Sequence, residues 1–319
     1  MRKMIKVSFV FLIVGVFFIF FQSKHEVIKY SNEKSSYGGY KTLSELQSAA
    51  KSGIVEAQTD LGIAYERGVI VQKNYKEAAY WYSQASMKGY AQAQYDLGVA
   101  YENGRGLHMD FQKAMMWYEK AARQGLPNAQ VNLAMLYIYG QGTSINYEKA
   151  EYWLKQAAGK NDTVAMNNIA NMYSRGIGVP QNYTEAVRWY RKAVHLGSMR
   201  AKNSLALLYE HGLGTLPKDK KIALSLIKSS ACQGYAVAQN NLGRLYSDKD
   251  DVIAYAWFSV ASSNGLADAK DSMNRIAGIL NEEQRLQAEN IANKYIEKYP
   301  SPREANDTYK SGSECKYQE

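Results

Sequence analysis

The sequence predicts an all-α protein: a right-handed α/α solenoid of about six 36-residue helix-pair repeats, closed by a C-terminal capping helix. Three observations predict it. Trp81, Trp117, Trp153 and Trp189 recur at intervals of 36, and self-similarity at a period of about 20–50 residues marks a repeat architecture. Ala57, Ala93, Ala129, Ala165 and Ala201 keep the same interval, followed by Ala238 and Ala269. Paired glycines punctuate each interval, at Gly104 and Gly106, Gly140 and Gly142, Gly176 and Gly178, and Gly212 and Gly214. Composition agrees with a folded chain: of 319 residues, 46% are hydrophobic and 22% charged, which excludes wholesale disorder and collagen-like or polytopic membrane classes.

The N-terminus stands apart. Val7 to Phe21 is an apolar run broken only by Ser8 and Gly15, preceded by Arg2, Lys3 and Lys6. A basic flank before a short apolar stretch is a secretion signal. As a helix it would span roughly 22 Å, short of a bilayer core of about 30 Å. No small-x-small cleavage site follows, since a cut after Ser23 would place Phe21 at minus three. Residues 1–23 therefore read as a signal peptide or signal anchor, and 24–41 as a polar spacer. The rest is expected to be exported across the inner membrane and periplasmic, soluble or N-terminally anchored, touching membrane only through that segment. The three bases also account for part of the +9 formal charge; without them the excess of bases over acids falls to six. That mild, dispersed positive charge does not call for nucleic acid.

Within each repeat the first helix follows from spacing. Leu61, Leu97, Leu133, Ile169, Leu205 and Leu242 lie four residues after the alanines, and Tyr65, Tyr101, Tyr137, Tyr173, Tyr209 and Tyr246 lie eight after. Positions i, i+4 and i+8 share one helical face. A small residue sits beside each leucine or isoleucine: Gly62, Gly98, Ala134, Ala170, Ala206 or Gly243. It would let a neighbouring helix approach closely. Glycine after the helix supplies a left-handed cap. The second helix starts at Asn74, Asn146 or Asn182, with Glu77 and Glu185 placed for a capping box. It carries the tryptophans, which are expected to be buried packing residues. Leu43 to Gly53 matches only the end of a second helix, so it reads as an N-terminal half-cap. The solenoid is expected over 42–277, a capping helix over 278–299, and a disordered, proline-containing tail over 300–319.

The unit Ala165-Met-Asn-Asn-Ile-Ala-Asn-Met-Tyr173, continued by Gly176-Ile-Gly178-Val-Pro-Gln-Asn-Tyr183-Thr-Glu-Ala186-Val-Arg-Trp189-Tyr190, resembles the Sel-1-like repeat, a relative of the tetratricopeptide repeat. The resemblance covers about residues 46–277. Later units depart from it, with Leu226 in the tryptophan place and a shortened turn at 247–251. The resemblance implies that the first helices line a concave groove.

Catalytic and cofactor signals are weak. The Gly-x-Gly turns follow helix C-termini, whereas phosphate favours the N-terminal end. His25, His108, His195 and His211 share no metal-ligand spacing. No nucleophile–base motif stands out, so neither enzymatic activity nor a cofactor or metal is expected. Two cysteines exclude a disulfide-rich scaffold; Cys232 and Cys315 could pair in an oxidising compartment, and the sequence leaves this open, as it does the oligomeric state.

One stripe varies while the packing positions hold. Three, six and ten residues after the repeat alanine, helical spacing aligns side chains on one face. The candidate partner-binding residues there are Asp60, Asp96, Asn132, Asn168, Ser204 and Asn241 in the first row, Met135, Asn171 and Arg244 in the second, and Arg67, Asn103, Tyr139, Arg175 and His211 in the third. Tyrosine and arginine are common anchors at protein interfaces. The expected function is protein binding in the groove. The repeat family includes periplasmic immunity proteins that neutralise lipase or phospholipase effectors of type VI secretion, and the resemblance makes that the specific expectation. An envelope scaffold or adaptor is the alternative, and a peptidoglycan-binding module the third.

Overall fold

The computed structural model describes residues 39–301. The signal segment, most of the spacer and the tail from 302 onward lie outside the described residues. Fifteen helices occupy the described residues, and no strand does. In order they are α1 (Leu43–Lys51), α2 (Val55–Arg67), α3 (Tyr75–Met87), α4 (Ala91–Asn103), α5 (Phe111–Arg123), α6 (Pro127–Tyr139), α7 (Tyr147–Ala158) and α8 (Thr163–Arg175). Then follow α9 (Tyr183–His195), α10 (Met199–His211), α11 (Lys220–Cys232), α12 (Ala236–Tyr246), α13 (Asp251–Ser263), α14 (Ala267–Ala277) and α15 (Glu282–Lys298). The expected class, a solenoid of consecutive helix pairs, is the one found.

The chain divides into two compact units with the boundary at Ala223 and Leu224. In the first, each helix from α1 to α10 packs on the next in chain order. Caps set the frame. Asn74, Asn146 and Asn182 accept backbone hydrogen bonds from the first turns of α3, α7 and α9. Gly68, Gly104, Gly140, Gly176 and Gly212 close the first helices in the left-handed conformation, φ between 64° and 70°, which costs little without a Cβ.

The small position of the first helix meets a large side chain from the second. A Cβ at Gly62 would stand 2.5 Å from the Tyr82 ring, and one at Gly98 2.6 Å from Tyr118. Glycine there is a steric requirement. The rings are core: Tyr82 and Tyr118 are buried, as are Leu154 and Tyr190 at the same register. The tryptophans one residue earlier are not. Trp81, Trp117, Trp153 and Trp189 are half-buried, which corrects the expectation of a buried tryptophan series. Trp81 packs on the α1–α2 cluster, and Trp117 on the cluster of Ala78, Tyr82 and Leu97. Lys120 and Lys192 lie over the rings of Trp117 and Trp189 at 4.1 and 4.3 Å. Trp117 thus both packs on a core cluster and meets a lysine, whereas Trp81 and Trp153 meet the Tyr80 and Tyr152 rings edge-on at 5.1 and 5.0 Å.

A buried glutamine follows the repeat alanine. Gln58, Gln94 and Gln130 donate through Nε2 to the carbonyls of Ala50, Ser86 and Ala122, at 3.0, 3.3 and 3.0 Å. Each adds a second donor to a carbonyl in the last turn of the preceding helix, which also accepts the N–H of Gly53, Gly89 or Gly125 at 3.1, 3.0 and 2.9 Å. Lys88, Gln124 and Lys160 add a parallel series, donating to the carbonyls of Gly53, Gly89 and Gly125.

In the second unit, α13 packs on α12, α14 and α15. Gln239 repeats the glutamine contact to Ala231 at 3.0 Å and also reaches the Tyr299 carbonyl at 3.1 Å. Trp257, unlike its four counterparts, is fully buried, and it stacks on Tyr299 with centroids 5.5 Å apart. α15 starts with a full capping box between Asn281 and Gln284. Cys232 is disulfide-bonded; Cys315, the other cysteine in the sequence, lies outside the described residues. No helix among the described residues is long and apolar enough to cross a membrane.

Candidate protein-binding face

The three rows of the variable stripe lie at different depths. In the residue 39–223 unit, the third row is the most open. Asn103, Tyr139, Arg175 and His211 are exposed and Arg67 is half-buried. Each of these residues ends a first helix, just before the glycine cap, so the helix geometry holds their Cα atoms at matching places. Asn103 Nδ2 turns back to the Val99 carbonyl at 2.9 Å. Tyr139 and Arg175 act on each other electrostatically: burial raises the Tyr139 hydroxyl and the Arg175 guanidinium opposes that rise.

The second row is mixed. Met135 and Asn171 are half-buried, Leu207 is exposed and Val99 buried. The first row is a correction at two positions. Asp60, Asn132 and Ser204 are half-buried, but Asp96 and Asn168 are only 9% and 6% exposed. These two belong to a polar seam beneath the face. In the other unit, Asn241 is half-buried and Arg244 exposed.

The seam was missed in the sequence. It is built by tyrosines of the second helices whose hydroxyls reach the first-helix layer. Tyr82 donates to Glu66 at 2.8 Å, and Glu66 also takes Arg105 at 2.8 Å. Tyr118 donates to Glu102 and accepts from Asn132 at 3.2 Å. Tyr190 donates to Asn171 at 2.7 Å and lies 3.5 Å from Ser174. The register carried a signal. Nine residues after the repeat alanine stand Glu66, Glu102 and Ser174 where the buried side chain is tyrosine, but Ile138 where it is Leu154. In the first four repeats polar partner and hydroxyl come and go together, whereas Glu210 and Ser247 hold the same place in the last two, where the buried side chains are Ile227 and Phe258. Asn168, next to that apolar repeat, turns its amide to the Met135 sulfur at 3.7 Å.

Electrostatics concentrate on α2 and α4. Burial, reinforced by Glu66, pushes the Asp96 carboxyl up to about 8. Burial and then Glu56 raise Asp60. The Tyr90 hydroxyl is raised by burial and then by the charges of Glu56, Asp60 and Asp96.

Among the described residues, no group of three His, Cys, Asp or Glu side chains could hold a metal ion. A recess of about 420 Å³ in the second unit is lined by residues including Tyr255, Ser259, Glu289 and Asn293. The Ser259 hydroxyl there is committed to the Tyr255 carbonyl at 2.8 Å.

A family model described as Sel1 repeat matches six segments: 55–90, 91–126, 127–162, 163–198, 200–235 and 236–266. A Sel1 repeat protein from Oxalobacter formigenes is 30% identical, with TM-score 0.63, over 68% of this chain and 89% of that one. A protective antigen present in uropathogenic Escherichia coli strains is 23% identical, with TM-score 0.42, over 87% and 94%. An immunity protein from Pseudomonas aeruginosa is 17% identical, with TM-score 0.46, over 76% and 82%. No curated protein matches the chain. Six matched repeats, over helix pairs that pack in chain order, place this chain in the Sel1 repeat family, whose solenoids are typically non-catalytic protein-binding scaffolds.

Proposed function

We propose that the protein is exported and non-enzymatic, and that it holds a protein partner in the groove lined by its first helices. The observation that carries this is the open row of Asn103, Tyr139, Arg175 and His211. Four chemically different side chains occupy one register position of otherwise matching repeats, at the rigid ends of four helices. A stack of helix pairs preorganises such contacts and limits the entropy lost on binding. In its specific form the proposal is a periplasmic immunity protein that covers the active site of a secreted lipase or phospholipase effector. The basic flank and apolar run of residues 2–21 support export. The test is co-expression of full-length protein with candidate effector enzymes. Stoichiometric complex formation with loss of lipase activity is expected; a stable complex that leaves the enzyme active would point to a scaffold instead.

A second reading has its own observation. Tyr80 and Tyr152, at matching positions of α3 and α7, are 53% and 54% exposed and lie outside the stripe. Open aromatic faces suit glycan stacking. Co-sedimentation with purified peptidoglycan, abolished by Tyr80→Ala with Tyr152→Ala, would favour a wall-binding module.

A further inference from the structure

The C-terminal segment takes a place that a contact between repeats holds elsewhere. Gln124, just before Gly125, donates through Nε2 to Gln94 Oε1 at 2.8 Å and to the Gly89 carbonyl at 2.9 Å. Asn264, just before Gly265, repeats this in the second unit. Its Nδ2 donates to Gln239 Oε1 at 2.8 Å, but its other acceptor is the Tyr299 carbonyl, at 2.9 Å. Its Oδ1 accepts the Ser301 N–H at 2.7 Å. One side-chain amide thus holds the backbone of residues 299–301 at two points. Gln239 Nε2 bridges the carbonyls of Ala231 and Tyr299, at 3.0 and 3.1 Å. The chain therefore leaves α15 one amide group away from Ala231, the neighbour of Cys232 at the end of α11. Cys232 is disulfide-bonded. The sequence holds one further cysteine, Cys315, fourteen positions beyond Ser301.

We propose that Cys232 bonds Cys315 of the same chain, and that this disulfide fastens residues 299–301 against the ends of α11 and α13. The hydrogen bonds start the last stretch of chain beside one sulfur, and a connection this short gives an effective concentration of about a millimolar. A second copy of the chain in dilute solution competes poorly with that. The residue held in place is Tyr299, the buried ring stacked on Trp257. The bond also closes a loop around α12 to α15, which restricts the unfolded chain. It forms by exchange with a disulfide such as oxidised glutathione. One cysteine thiolate attacks that disulfide and expels a thiolate, and the other cysteine thiolate attacks the mixed disulfide and expels the second. Two thiols are oxidised, one disulfide is reduced, and the two protons pass to the expelled thiolates. Such a bond persists in an oxidising compartment, so the inference rests on the export reading and adds a covalent lock to it.

The test starts from reduced full-length protein, oxidised with about 1 mM glutathione disulfide at about pH 8, then digested without reductant for peptide mapping by mass spectrometry. A cross-linked pair joining Cys232 to Cys315 in monomeric protein is expected. Oxidation should raise the melting temperature of the wild type by about 5 °C or more and leave those of Cys232→Ser and Cys315→Ser unchanged. Asn264→Ala, which frees the start of the segment, should slow bond formation about threefold or more. A disulfide-linked dimer would overturn the proposal, as would a stable glutathione adduct on Cys232 with Cys315 left as a thiol. An unchanged wild-type melting temperature, or an unchanged rate for Asn264→Ala, would overturn the fastening of residues 299–301. The export reading is judged separately, on protein isolated from cells with free thiols blocked at lysis. A bond that forms in the purified protein but is missing from cells would count against export alone.

Discussion

The second and third repeats place different chemistry on the same pair of helices. In the second, α4 and α5 join through Gly98 under the Tyr118 ring, with the hydroxyl held by Glu102 and Asn132. In the third, α6 and α7 put Ala134, Leu154 and Ile138 at those places, all apolar. Tyr118 and Leu154 are both fully buried. The difference teaches that a repeat position is defined by volume and depth rather than by residue type. A glycine–tyrosine pair with a polar terminus and an alanine–leucine pair with an apolar one fill the same space. The polar version places hydrogen-bonding groups just under the variable face, and the apolar version places none there.

The largest effect should come from emptying the buried position. Tyr118→Ala is expected to destabilise by about 3–5 kcal/mol, as deletion of a core aromatic does. An unchanged urea midpoint would break the claim that this ring, rather than the tryptophan before it, is core. Next comes the steric half of the pair. Gly98→Ala forces a Cβ to within 2.6 Å of the ring and should cost about 1–3 kcal/mol. In a Tyr118→Leu background, which copies the third repeat, the same substitution should cost almost nothing. Additive costs across that cycle would show that the two positions are independent.

A third test uses the first row, where Asp96 stands in the second repeat and Asn132 in the third. The Asp96 carboxyl keeps its proton up to about pH 8 in the folded chain, mainly through burial, against an ordinary value near 4 when unfolded. Between those limits the folded state holds the extra proton, so this group's contribution to stability is present at low pH and lost as pH rises towards 8. Asp96→Asn lacks that loss. Its stability relative to wild type should therefore improve by about 1–3 kcal/mol between about pH 5 and pH 8. A difference that stays constant over that range would mean Asp96 titrates normally. The smallest of these effects is at the tryptophan. Trp153 is half-buried, so Trp153→Ala should cost about 1–2 kcal/mol, less than the full deletion of a buried ring. A loss equal to that of Tyr118→Ala would restore the tryptophans to the core.

These contrasts explain what was legible beforehand. Helix order, the glycine caps and the alanine–leucine face were all readable, because a 36-residue register repeats them with the same residue type. Depth was not. Trp153 recurs in register yet is half-buried, and recurrence of type does not say how much of the ring is covered. The buried position escaped notice because it changes from tyrosine to leucine. The stripe was legible as a variable face, but its first row includes Asp96 and Asn168, which lie beneath the surface. Helical spacing gives direction and does not tell how deep a side chain sits.

The central claim is that the open third row binds a protein. It is tested most directly by capture from envelope extract with full-length bait, comparing wild type with the Tyr139→Ala, Arg175→Ala double variant. Both side chains are exposed, so the variant should melt within about 0.5 kcal/mol of wild type. The account predicts a near-stoichiometric protein partner that survives high salt on the wild type and is lost from the variant. Equal capture by both baits, with equal melting, would contradict it.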